Sequence, residues 1–377
     1  MAVAVRPLVV LAQGQGQGQG QAQGQAAGQR PAGPPPDTTP APPPFAATGW
    51  KTVLLDHFSC QAADYQKEAA YYAALMNWKI RSDDGKQAVL DIGDWGGLII
   101  RGGYVPPPAP TPTATPTPAP TPAAAGDPAA AGRAGGRGGG RGPAQPRMAV
   151  FDNFCWGIEP WDTKKIEEEL KKRGLNPVAD HQGKDFQSFH VKDPDGFDLQ
   201  ISNGNMKNRR KGAATGKTAA PAPFDATTWK SVWLDHISFQ CTSYKETVAF
   251  YGALLGWKPG RDTGSQSQCE IGDVGDTIIR RGGGGRGAAD PSAPPPPRRA
   301  TIDHIAFGIQ PFDPDEVQKA LQARGLSARV DTGGGGDIHT SSYKSYHTTT
   351  PSGFDLQISA TTKANRSAGS GPGGDDL

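Results

Sequence analysis

The sequence predicts an α+β fold made of two copies of one module, each copy itself made of two strand–helix–strand units. Three observations carry this. The stretch WKTVLLDHFSCQ from Trp50 returns as WKSVWLDHISFQ from Trp229, and the match runs without a gap through IGDWGGLIIRGG and IGDVGDTIIRRG, with about half of the positions identical. Later stretches match as well: FDNFCWGIEPWDTKKIEEELKKRGL from Phe151 with IDHIAFGIQPFDPDEVQKALQARGL from Ile302, and SFHVKDPDGFDLQIS at 188–202 with SYHTTTPSGFDLQIS at 345–359. The joints between these pieces are low in complexity, Pro/Thr/Ala then Gly/Arg at 104–147 and Gly then Pro at 282–299, so each copy divides into two halves.

Composition agrees. A chain of 377 residues has room for about two domains, and its 51 Gly, 36 Pro and 36% hydrophobic content fit compact domains joined by polar connectors. The boundaries follow as an N-terminal tail over 1–45, a first module over 46–205, a connector over 206–224, a second module over 225–362 and a C-terminal tail over 363–377. A net charge of +2 argues for neither nucleic acid nor membrane, and no apolar run reaches the ~18–20 residues that a membrane span needs. The short apolar run ending in Val-Leu-Ala near the N-terminus reads either as a brief export signal or as the head of a polar tail; the stalk-like linkers point to export. Cys60, Cys155, Cys241 and Cys269 have no CxxC or zinc spacing and are expected as buried thiols, with a disulfide left open for an exported chain.

The second copy shows the unit clearly. SVWLDHISFQ alternates as a strand. SYKETVAFYGALLGW places Val248, Tyr251, Leu254 and Leu255 at helical spacing, and Gly256 stops the helix. QCEIGD and DTIIRR are short strands. In the second half TIDHIAFGI is a strand, and DPDEVQKALQARG is a helix with Asp313 as N-cap, Pro314 in its first turn and Gly325 at its end. YKSYHTTT and FDLQIS are strands around the Pro-Ser-Gly turn. Trp78, Trp257, Tyr72 and Tyr251 close or line the helices and are expected in the core.

The motifs LDHFS and LDHIS, then IDHIAFGI, then the endings DPDGFDLQIS and TPSGFDLQIS resemble the vicinal oxygen chelate superfamily of glyoxalases, bleomycin-resistance proteins and extradiol dioxygenases. The resemblance covers nearly everything outside the linkers. It implies two modules, each of two βαβββ units forming a half-open cup, with a metal held by residues of the first strand of each half and of the last strand. On this sequence those positions are His236, His304 and Gln357 in the second module and His57, Asn153 and Gln200 in the first. The family's third ligand is generally Glu, four residues after the turn glycine; here that residue is Gln in both modules.

Strand alternation puts Leu234, His236 and Ser238 on one face and Ile302, His304 and Ala306 on another, so two imidazoles converge if both faces line one cup. Such a pair begins a site for Fe2+, Mn2+, Zn2+ or Ni2+. Gln357 supplies only a neutral carbonyl, so Glu270, Asp273 or Asp355 stands as a possible carboxylate in its place. The plainer reading is a histidine satisfied by a hydrogen bond on a sheet face, and with Asn153 as a poor ligand the first module is expected to be metal-free and structural. The resemblance further suggests His347, His339 and Tyr346 as groups that move protons or clamp a substrate, with His190 and His181 in matching places in the first module. The alternative is that Tyr343 and Tyr346 pack and His347 caps a strand.

Three functions follow. The leading one is a small-molecule-binding protein acting through the second cup, with metal-dependent lyase or ring-cleaving dioxygenase chemistry. The first rival is a resistance-type binder that needs no metal. The second is an RNA-associated protein using the arginine–glycine run 133–142, for which a solvated tether is the plainer reading. Because the modules are already paired in one chain, a monomer suffices.

Overall fold

A computed structural model describes residues 35–106, 147–207, 216–282, 297–331 and 344–366. The expectations for residues 1–34, for the arginine–glycine run and for His339 lie outside these residues. In the first module the elements run β1 (Lys51–Ala62), α1 (Tyr65–Leu75), β2 (Lys79–Asp83), β3 (Gln87–Ile92), β4 (Gly96–Arg101), β5 (Ala149–Glu159), α2 (Thr163–Lys172), β6 (Val178–Ala179), β7 (Ser188–Lys192) and β8 (Asp198–Ser202). The second repeats them as β9 (Lys230–Cys241), α3 (Tyr244–Leu255), β10 (Lys258–Asp262), β11 (Gln266–Ile271), β12 (Gly275–Arg281), β13 (Ala300–Gln310), α4 (Pro314–Ala323), β14 (Arg329–Asp331), β15 (Ser345–Thr349) and β16 (Asp355–Ser359), followed by the short α5 (Lys363–Arg366).

Each module is one eight-stranded sheet, in the orders β2-β3-β4-β1-β5-β8-β7-β6 and β10-β11-β12-β9-β13-β16-β15-β14. The two halves of a module meet at an antiparallel seam, β1 on β5 and β9 on β13. Every half is therefore a βαβββ unit. The strand least visible in the sequence is β10, KPGRD; its Pro259 is tolerated because β10 is an edge strand.

Local chemistry sets the helix ends. Asp64, Asp162 and Asp313 each accept a backbone N–H three residues on, at 3.1, 3.0 and 3.0 Å. Gly256 ends α3 in the left-handed conformation at φ 69°, where its missing side chain also lets Trp50 O approach to 2.5 Å of the Cβ position.

The two modules share one core, and its contacts are reciprocal. Trp78 stacks on Tyr72 and donates to Ser231 of the second module at 2.8 Å; Trp257 stacks on Tyr251 and donates to Thr52 of the first at 3.0 Å. Thr227 donates to Leu75 O and Thr48 to Leu254 O, so each chain segment entering a first strand caps the end of the other module's helix. The four aromatic residues expected in the core are there, and all four cysteines are buried and free. Burying these aromatic rings across the seam gives the modules a joint hydrophobic term.

Candidate metal centre

The site is built on a row of side chains across the sheet. In the second module the register sets His236 beside Ala306, Ala306 beside Gln357 and Gln357 beside His347; the next row holds Ser238, His304, Asp355 and Thr349. The structure thus gathers His236, His304, His347, Gln357 and Asp355 on one face, the inside of the cup.

Simple alternation does not carry through to this face. The β9–β13 pairing slips at Asp235, between Leu234 and His236, and again at Asp303, between Ile302 and His304. Each bulge inserts one residue and changes the parity of the strand. Leu234 and Ile302, expected beside the histidines, therefore lie in the hydrophobic core. The same slip lets each bulge aspartate reach the histidine that follows it: Asp235 Oδ1 lies 3.2 Å from His236 Nδ1, and Asp303 Oδ2 lies 3.1 Å from His304 Nδ1. Both Nδ1 atoms are thereby engaged, and the Nε2 atoms face each other at 3.2 Å.

This arrangement fits a metal ion. Two nitrogens that far apart, each at a metal–nitrogen distance of about 2.1 Å, subtend about 100° at the ion, between tetrahedral and octahedral angles. A carboxylate on Nδ1 is the usual support of a ligating imidazole, because it fixes the tautomer and raises the basicity of Nε2. Burial lowers the pKa of His304 to about 4, against the pull of Asp303, and keeps the ring neutral as a ligand must be. Burial alone would raise the Asp303 carboxyl, but its hydrogen bond to His304 and the charges of Arg147 and Arg280 hold it well below the usual range. Arg147 comes from the first module: its Nη2 donates to Asp303 O at 3.1 Å and approaches Oδ1 at 3.3 Å, with the guanidinium over the Phe354 ring.

The third position is less suited to metal. Gln357 Nε2 donates to Ser345 Oγ at 2.7 Å, which fixes the amide in the sheet. His347 lies between two carboxylates, with Nδ1 at 2.9 Å from Asp355 and Nε2 at 3.5 Å from Asp331, and its ring centroid is 5.2 Å from that of His304. Burial would lower its pKa, but the two aspartates outweigh burial and raise it. Tyr346 is not brought to the cup. As the neighbour of His347 on a regular strand it points to the other face and packs in the core, near the charges of Asp313 and Asp315 at the start of α4. Asp273 is also away from the site, in the exposed turn between β11 and β12, facing Lys363 at 3.7 Å. The sequence reading missed Asp303, Asp331 and Arg147; the repeated Asp-His dipeptide was the available signal for the first.

In the first module the equivalent row is His57, Cys155, Gln200 and His190. Asp56 sits at the same bulge, with Oδ1 at 2.7 Å from His57 Nδ1. Asn153 occupies the place of His304 and donates to Asp198 O at 3.3 Å. His190 repeats His347, between Asp198 at 3.0 Å and Asp180 at 3.5 Å, and Gln200 donates to Ser188 Oγ at 2.9 Å. This cup opens into a cavity of about 330 Å³ lined by Asp56, His57, Arg81, Asp91, Gln182 and Asp185 among others.

Residues 233–358 match the family described as Glyoxalase/Bleomycin resistance protein/Dioxygenase superfamily. Among solved structures, the chain is similar to the Mn(II)-bound glyoxalase from Novosphingobium aromaticivorans, at 13% identity and TM-score 0.52, covering 82% of either chain. It is similar to homoprotocatechuate 2,3-dioxygenase from Arthrobacter globiformis, at 15% identity and TM-score 0.51, over 86% of this chain and 83% of that one. The 2,3-dioxygenase LapB from Pseudomonas sp. KL28 gives 14% identity and TM-score 0.50, over 82% and 92%. No curated protein matches the chain by sequence. At these identities the structural likeness speaks for the fold, and the family match speaks for the second module. The second module thus matches the vicinal oxygen chelate superfamily's model, and the chain has the fold of two such modules in tandem.

Proposed function

We propose that the second cup binds a small molecule beside a divalent metal ion, in the manner of a metal-dependent lyase or a ring-cleaving dioxygenase. His236 and His304 hold the ion through Nε2, and Gln357 makes a weak third contact. The observation that supports this most is the pair of Nε2 atoms 3.2 Å apart, each on an imidazole whose Nδ1 is held by its own aspartate. Fe2+, Mn2+, Zn2+ and Ni2+ all accept imidazole nitrogen; the Novosphingobium glyoxalase structure is Mn(II)-bound. When bound, the ion supplies a Lewis acid for adjacent oxygens of the substrate.

The chain's own residues do the rest. Asp235 and Asp303 orient the two ligands. His347, whose pKa burial lowers but Asp331 and Asp355 raise on balance, is placed to move a proton one ring away from His304. His339 is the proposed second proton-moving group. The other face of the sheet is buried in the apolar core that the two modules share.

One observation favours the rival reading of a metal-free binder: both modules place glutamine where the family generally has glutamate, and both anchor it on a serine. Equilibrium dialysis of the full chain against Mn(II) and Fe(II) under anaerobic conditions separates the two. One bound equivalent that disappears in His304→Asn and in His236→Ala supports the metal site. Uptake unchanged by those substitutions, or none in the unaltered protein, overturns it.

A further inference from the structure

We propose that the cup of the first module is a second, independent cation site, taking a thiophilic divalent ion such as Zn(II) on His57 and Cys155 with the Asp56 carboxylate beside them. One donor atom of each of these three residues lies within 4.8 Å of the other two. They come from neighbouring strands: the register pairs His57 with Cys155, and the bulge between Leu55 and His57 swings Asp56 onto the same side. The second module has Ala306 in the place of Cys155, so a soft donor is present in the first cup alone.

Charge argues the same way. A thiolate and a carboxylate together cancel a dication, and a neutral imidazole completes a set typical of zinc. The second cup offers two neutral imidazoles and a neutral amide as its nearest donors, so the two cups differ in hardness as well as charge. Access is provided, since Asp56 and His57 line the cavity of about 330 Å³, which leaves room for a further ligand from solution. Cys155 itself is fully buried behind them, where a bound ion is shielded from competing thiols.

The test uses the full chain carrying His304→Asn, a change that gives the second cup the residue the first already has. Co(II) and Zn(II) are the probes. The expected result is one tightly bound Co(II) with a thiolate-to-metal charge-transfer absorption. Adding Cys155→Ala, the residue of the sister module, should abolish that absorption and weaken Zn(II) binding at least about tenfold. Cys241→Ala, at a buried thiol outside the cup, should leave both unchanged. Absence of the charge-transfer band, or its survival in Cys155→Ala, overturns the proposal. Circular dichroism of each variant confirms that loss of binding is not loss of fold.

Discussion

The two cups share a frame and differ in their donors. His347, Asp355, Asp331, Gln357 and Ser345 in the second module are matched by His190, Asp198, Asp180, Gln200 and Ser188 in the first, with the same pairings and nearly the same distances. On the first strand of the second half the match breaks: His304 corresponds to Asn153, and Ala306 to Cys155. The common set ties the last three strands of each sheet together regardless of what the cup holds. The variable set decides what the cup can hold. A charged network that persists where the paired imidazoles are lost is doing structural work first, and any proton chemistry of His347 is built on that.

The comparison breaks most sharply at His304. Substituting Asn, which makes the second cup resemble the first, removes one of two converging nitrogens. Mn(II) affinity is expected to fall on the order of a thousandfold, beyond the ~10–100-fold that loss of a ligand's support costs. Calorimetric titration with Mn(II) measures it. Equal affinity in the variant would mean that the distinction between the cups has no bearing on metal.

A second difference lies at the module seam. In the first module Asp193 of the turn before β8 accepts from Phe197 N, Asp195 N and the Tyr251 hydroxyl. In the second the turn has Thr350, and the acid is instead Glu68 on the opposing helix, accepting from Ser352 N. Burial raises the Asp193 pKa from 3.8 to about 6. A carboxyl whose folded pKa exceeds its unfolded one stabilises the fold fully below the unfolded value, and that stability is lost as pH rises through the folded value. Between about pH 4 and 6 the loss should reach about 2–3 kcal/mol. Asp193→Asn keeps the acceptor oxygen and should flatten this part of the curve, as read by urea unfolding at a series of pH values. An unchanged slope would assign the effect to Glu68, whose pKa burial also raises.

The topology was legible in the sequence because duplication is a pattern of residue types, and the repeated Trp, Asp-His and Gly-Phe-Asp phrases survive in both copies. The histidines and the glutamines were legible for the same reason. What alternation could not show was the bulges. Counting by twos placed Leu234 and Ile302 beside the ligands, whereas one inserted residue sent them to the core and brought Asp235 and Asp303 to the imidazoles. Partners distant in the chain were invisible too: Arg147 lies in the other module, and Asp331 is separated from Asp355 by a strand and a connector.

Arg147 tests how far the modules depend on each other. It steadies Asp303, which steadies His304. Arg147→Ala should weaken Mn(II) binding in the second cup by about tenfold through loosened orientation. Co(II) binding in the first cup should not change. Equal losses in both cups would show a general loosening of the seam instead.

The smallest effect is expected at Tyr346. Its neighbour His347 faces the cup, so strand geometry sends Tyr346 to the side of α4, and the residue in the equivalent place of the first module is Phe189. Phe189 packs against Trp161 and His181 without a hydroxyl, which shows that this side of the sheet needs an aromatic ring and no polar group. Tyr346→Phe should therefore change stability by less than about 0.5 kcal/mol and leave metal affinity and ligand binding as they were. A severalfold loss of either would mean that the hydroxyl reaches the cup, and the assignment of faces around β15, on which His347 also depends, would have to be reversed.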